Sequence, residues 1–140
     1  MGRPNVGKST LVNSLLKESR VIVNDLPGTT WDSVFIEWVH WGRRIKLVDT
    51  AGIRLASKAK TRVDELVIDE VEKSLRYSNV AVLVIDSMEA FMKQDMMVVQ
   101  KVLEEGWGLV IVANKWDKVD DKYKAKAVKW MQKQLERGLG

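Results

Sequence analysis

The run Gly2-Arg3-Pro4-Asn5-Val6-Gly7-Lys8-Ser9-Thr10 opens the chain, and its reading decides the fold. It fits GxxxxGK[ST] in full, and residues 10–18 (TLVNSLLKE) place Leu11, Leu15 and Leu16 at helical spacing directly behind it. Glycines at positions 2 and 7 free the backbone to turn several N–H groups inward around an anion. The helix start adds a field that favours negative charge. In such a loop the lysine, here Lys8, neutralises the outer phosphates, and the hydroxyl of Ser9 binds magnesium. The candidate cradle is therefore Asn5, Val6, Gly7, Lys8, Ser9 and Thr10. The plainer alternative, a glycine turn capping an ordinary helix, does not require four fixed residue types at these spacings.

Working outward, short β-rich runs alternate with helical stretches. Residues 34–41 (VFIEWVHW), a turn at Gly42 and Arg43, and residues 45–48 (IKLV) read as a β-hairpin. Residues 63–77 carry a helical apolar stripe, and residues 79–86 (NVAVLVID) read as a strand buried on both faces. A helix at about residues 90–105, a strand at 109–113 and a basic amphipathic helix at 121–137 complete the chain. The pattern predicts an α/β P-loop NTPase three-layer sandwich with a mostly parallel sheet and one antiparallel hairpin strand. The length suits one domain, residues 1–140. Ligands in such sheets sit at the carboxyl ends of the strands, so the loops after strands are where chemistry is expected.

Three of those loops carry it. Asp49-Thr50-Ala51-Gly52 follows IKLV: a carboxylate there can hold magnesium through its water shell, and Gly52 can offer an N–H to a terminal phosphate. Pro27-Gly28-Thr29-Thr30 lies among the loop signals Asn24, Asp25, Pro27 and Gly28, and Thr30 is the candidate to complete the magnesium shell. Asn114-Lys115-Trp116-Asp117 follows residues 109–113. An ionised Asp117 can accept from two guanine donors that adenine lacks, a mismatch worth roughly 10⁴-fold in discrimination. Lys115 can lay its stem along the base plane, and Asn114 can tie this loop to the phosphate loop or to the base edge.

GRPNVGKSTLVNSLL, DLPGTTWD, DTAGIR and VIVANKWDKV resemble the Der (EngA) GTPases, which carry two G domains in tandem and act in large ribosomal subunit assembly. The resemblance covers nearly the whole chain, and DSMEAFMKQD with residues 58–62 is more similar to the second G domain. It implies GTP and GDP as ligands, Mg²⁺ held by Ser9, Thr30 and Asp49, and catalytic roles for Lys8, Thr30 and Gly52. It also implies a K⁺ ion beside the phosphates, because Asn5 matches the family's potassium-binding position, and slow hydrolysis without such help, because Ile53 stands where many GTPases have a water-orienting glutamine. The implied partners are guanine nucleotide and, through the full-length protein, ribosomal RNA or a pre-ribosomal particle, with no DNA and no membrane span. The implied location is the cytoplasm or an organelle stroma or matrix. Trp31 departs from the family's arginine. The chain is also expected to lack the first strand and the last strand and helix of the fold, giving marginal stability and weakened GTP binding. A catalytically impaired guanine-nucleotide-binding fragment and a related Era- or MnmE-like GTPase in RNA maturation remain the alternatives.

The rest of the sequence bounds the reading. A net charge of +4 permits contact with a polyanion, the absence of cysteine excludes disulfides and thiolate metal sites, and no apolar run reaches the length of a membrane-spanning helix. His40 reads as a hairpin residue. Trp38 and Trp130 read as core, while Trp31, Trp41 and Trp107 read as loop-borne and available to a partner. Met88, Met92, Met96 and Met97 read as a buried helix face.

Overall fold

A computed structural model of the chain describes residues 1–3, 5–17, 20–25, 34–48, 76 and 78–140. Helix α1 (Lys8–Lys17) starts at the lysine of the phosphate-loop motif. Strands β1 (Arg20–Asp25), β2 (Val34–His40) and β3 (Arg43–Val48) follow, then β4 (Val80–Asp86), α2 (Lys93–Glu104), β5 (Gly108–Asn114), a 3₁₀ turn (Trp116–Lys118) and α3 (Asp121–Leu139). Strands β1, β2 and β3 pair antiparallel in chain order, and β4 pairs parallel with β5. The α/β expectation, with a parallel sheet and an antiparallel hairpin, holds.

Two departures have local causes. Asn24 and Asp25, taken above as loop signals, end β1 opposite Phe35 and Val34, because ladder pairing with β2 overrides their turn preference. Strand β4 is buried along the whole of one face but only part of the other. Ala81, Leu83 and Ile85 are closed off, and on the opposite face Val84 is buried too, whereas Val80 and Val82 stay about half exposed. The helix expected over residues 63–77 lies outside the described residues.

The core forms between the parallel pair and the two helices that follow its strands. Ala81, Leu83 and Ile85 of β4 meet Val98, Val99 and Val102 of α2, a stripe at i, i+1 and i+4, and Met131 and Leu135 of α3 pack against the same cluster. The methionine face predicted for the first of these helices is corrected in part. Met88 and Met92 precede α2 and are largely exposed, Met96 packs against the core, and the valines form the fully buried side. Trp130 is corrected as well. It sits beside Met131, about 100° around α3, so it reaches only the rim of the core, where it touches Phe91 at a centroid distance of 6.5 Å.

Met1 extends this arrangement on the other side of β4. Its amino group donates to the Val82 carbonyl at 3.0 Å, and the Val84 N–H donates to the Met1 carbonyl at 2.9 Å. That pair of bonds is a parallel bridge to Leu83. The phosphate loop therefore leaves from a position level with the carboxyl end of β4.

Candidate functional site

The loop from Gly2 to Gly7 takes its shape from its glycines and one asparagine. Gly2 and Gly7 have φ of 144° and 92°, and Asn5 has φ of 65°. A Cβ on Gly2 would run into the Val84 carbonyl oxygen, and one on Gly7 into the side-chain amide of Asn114. Both positions thus exclude a side chain through space as well as through dihedral strain. Helix α1 then begins at Lys8 with no acidic residue in its first turn, leaving its N-terminal field open to an anion. The Lys8 ammonium folds back to donate to the Gly2 carbonyl within the same loop. Ser9 and Thr10 occupy the first turn beside it.

The Asn114-Lys115-Trp116-Asp117 motif sits on the same rim. Asn114 is the last residue of β5, opposite Asp86 at the end of β4, and Ser87 locks that register by donating its hydroxyl to the Asn114 carbonyl at 2.6 Å. Of the two roles open to Asn114, the structure shows the tie to the phosphate loop: its amide Nδ2 donates to the Val6 carbonyl at 2.8 Å. Lys115 takes a left-handed backbone with φ of 59°, which swings its side chain across the loop. Its Nζ donates to the Asn5 carbonyl at 2.7 Å and to Asp86 Oδ2 at 2.8 Å. Asp117 follows on the 3₁₀ turn with its carboxylate exposed.

Four residues not singled out above complete the scaffold. Asp86 stands at the carboxyl end of an apolar strand run, and the Lys115 hydrogen bond, reinforced by the Met88 backbone N–H, holds its carboxyl below the usual carboxylate range. Ser87 ties the two strand ends together. Arg3, at a variable position of the loop motif, donates Nε to Asp95 Oδ1 at 2.9 Å and Nη2 to the Glu89 carbonyl at 2.6 Å. Asp95 is fully buried; its other oxygen accepts from the Met92 N–H at 3.0 Å, capping α2. The signal that could have found Arg3 and Asp95 is weak: a charged residue in the loop, and a lone acid in the first turn of an otherwise apolar-striped helix.

Beside this scaffold lies a cleft of about 350 Å³ lined by Arg3, Asn5, Val6, Asp86, Lys115 and Lys118, with Met88 and Glu89 at its edge. Lys8, Ser9 and Asp117 are not among its walls, so it meets the candidate site only along the loop backbone and Lys115. Thr30, Asp49 and Gly52, three of the expected magnesium and γ-phosphate residues, lie outside the described residues, as does Ile53. Among the described residues no group of three or more His, Cys, Asp or Glu side chains could hold a metal ion. Ser9, by its hydroxyl at the start of α1, fits a magnesium ligand. The glycine-shaped cradle and unopposed helix start fit a polyphosphate.

Comparison with known proteins gives this geometry its context. The profile of a family described as 50S ribosome-binding GTPase matches residues 1–115. A GTPase Der of Marinomonas sp. (strain MWYL1) is 44% identical over 142 residues, covering 100% of this chain and 31% of the relative. A GTPase Der of Hyphomonas neptunium is 44% identical over 121 residues, 86% of this chain and 24% of the relative. A GTPase Der of Shewanella halifaxensis is 44% identical over 140 residues, 100% of this chain and 28% of the relative. The chain thus spans about a third or less of the length of these relatives, and its match is to the Der group, as the motifs implied.

Proposed function

The chain belongs to the 50S ribosome-binding GTPase family, and from that premise we propose that it binds GTP and GDP and, within a longer Der-like protein, hydrolyses GTP as a switch for assembly of the large ribosomal subunit. One observation carries the reading. Two side chains of the Asn114-Lys115 strand end, 108 and 110 residues away in sequence, reach the carbonyls of Val6 and Asn5 and hold the base-reading loop against the phosphate loop. Two half-sites fixed at one spacing suit a ligand with a base at one end and phosphates at the other.

In this reading the N–H groups of residues 5–10 grip the phosphates, and Lys8 leaves the Gly2 carbonyl to neutralise the outer ones. Asp117 accepts from the guanine edge, while Lys115, anchored by Asp86 and the Asn5 carbonyl, lays its stem beneath the base. A Mg²⁺ ion bound by Ser9, with Thr30 and Asp49, would supply positive charge at the β- and γ-phosphates. Gly52 would offer its N–H to the γ-phosphate. Lys8 and the loop amides stabilise the charge that develops as the terminal phosphoryl departs, the part of this chemistry that proteins chiefly provide. A K⁺ ion held by Asn5 is the finer part of the proposal, because Ile53 can do no polar work on the attacking water. Cytoplasm or an organelle interior fits a ribosome-directed role, and among the described residues no helix is long and apolar enough to cross a membrane.

The test is titration with fluorescent GTP, GDP and ATP, with and without magnesium, on the chain and its Asp117→Asn variant. Guanine preference in the parent and a shift toward xanthine nucleotides in the variant are expected; an unchanged preference refutes the assignment of Asp117. Equal turnover in potassium and sodium buffers would sink the K⁺ element alone.

A further inference from the structure

The hairpin that joins β2 to β3 carries an arrangement the nucleotide site does not use. The two strands close through a two-residue loop, Trp41-Gly42, with His40 paired to Arg43 as the last rung. Both loop residues have positive φ, 49° and 73°, the pattern of a type I′ turn. The first position of that turn favours Asn, Asp or Gly, and a bulky residue there is a backbone outlier. Here it is tryptophan, and its side chain is 91% exposed. A large aromatic ring held in solvent by a strained turn buries little surface for the fold. Such outliers point to a function elsewhere.

The ring is not isolated. The Trp41 indole stacks on His40 at 5.3 Å between centroids and 14° between planes, and His40 in turn lies 5.2 Å from Trp38. Arg43, directly across the ladder from His40, is exposed on the same face as that ring. Arg44 and Lys46 are exposed too, but they pair with Val39 and Glu37 and so lie on the other face of the hairpin. Flat π-faces stepped along a strand, with a guanidinium beside them, are the elements that hold an unpaired polynucleotide: bases stack on the rings and phosphates meet the cation. A duplex hides its base faces, so rings left open to solvent suit an unpaired strand.

We propose that the tip of the β2–β3 hairpin is a binding surface for single-stranded RNA, with Trp41 as the terminal stacking platform and Arg43 as the phosphate contact beside it. The inference does not depend on guanine-nucleotide binding and is tested on nucleotide-free protein, so either reading can fail alone. The probe is a fluorescein-labelled dodecauridylate, followed by anisotropy across a salt series, with a duplex of equal length and heparin as competitors. Trp41→Asn places a residue favoured at positive φ in the turn, so the hairpin persists without its ring. It should weaken binding at least about fivefold, the lower end of what one stacked base contributes. Trp41→Phe should restore most of the affinity. Arg43→Gln should flatten the log–log salt slope by about 0.7.

Ultraviolet crosslinking of the unmodified chain should place the oligonucleotide on residues 38–46. Unchanged affinity in Trp41→Asn overturns the proposal, and so does equal competition by duplex or heparin, or crosslinks confined to α3. Concentration-dependent self-association that disappears in Trp41→Asn would instead mark the tip as a protein interface, and would also refute it.

Discussion

Removing the guanidinium of Arg3 while keeping its apolar stem, as in Arg3→Met, tests whether the phosphate loop is braced from behind. The Asp95 carboxylate is completely buried and has two partners, Arg3 Nε at 2.9 Å and the Met92 N–H at 3.0 Å. Arg3 itself is only 13% exposed and also serves the Glu89 carbonyl. Arg3→Met leaves a buried charge with one neutral donor, a loss that costs about 3–5 kcal/mol. Asp95→Asn is gentler. The amide oxygen can still accept from Met92, and Arg3 can lean toward Glu89, whose carboxylate is 3.6 Å away and largely exposed. That change should cost about 1–3 kcal/mol. The pair removed together should cost less than the two singles summed, with a coupling of about 1 kcal/mol or more. Urea unfolding followed by tryptophan fluorescence gives all three values. Arg3→Met within about 0.5 kcal/mol of the parent, the range of an inert surface change, would show that the loop is not braced by this pair.

Two further outcomes follow from the site geometry. Gly7→Ala sets a Cβ against the Asn114 amide at a φ of 92°, so it should strain the loop by about 1–3 kcal/mol and weaken GDP binding in a titration; unaltered affinity would mean the loop has slack that the structure does not show. Asp86 has its folded-state pKa lowered by Lys115 and the Met88 N–H, so its contribution is present above the unfolded value of about 4 and is lost as pH falls through the lowered folded value. The stability gap between the parent and Asp86→Asn, measured by urea unfolding, should therefore be constant from pH 7 to about 5 and close below about pH 4; a gap that widens on acidification would contradict the sign.

Much of the fold was legible because its signals are local. Strand β5, helix α3 and the β2–β3 hairpin lie within a residue or two of where periodicity and turn chemistry put them. Misreadings arose where a neighbour decides. Asn24 and Asp25 join a strand because β2 is there to pair with them. Val80 and Val82 belong to the same apolar run as Leu83 and Ile85, yet they stay about half exposed on a face that is closed only further along, at Val84. Met88 and Met92 fit a helical stripe by spacing but precede the helix, which starts where Asp95 caps it.

The sequence by itself supplied the candidate chemistry of the site: two glycines five positions apart, a lysine and a hydroxyl suited to phosphate, and an asparagine, lysine and aspartate suited to a purine. Each recognition task is met within a few consecutive residues and leaves a readable string. Only the tertiary structure decided how those strings become one site. It put the Val6 and Asn5 carbonyls within reach of Asn114 and Lys115, gave Lys115 its anchor in Asp86, and set Arg3 against a buried Asp95. Hydrogen bonds spanning about a hundred residues depend on strand register and helix placement, and no local pattern of residues encodes their length or direction.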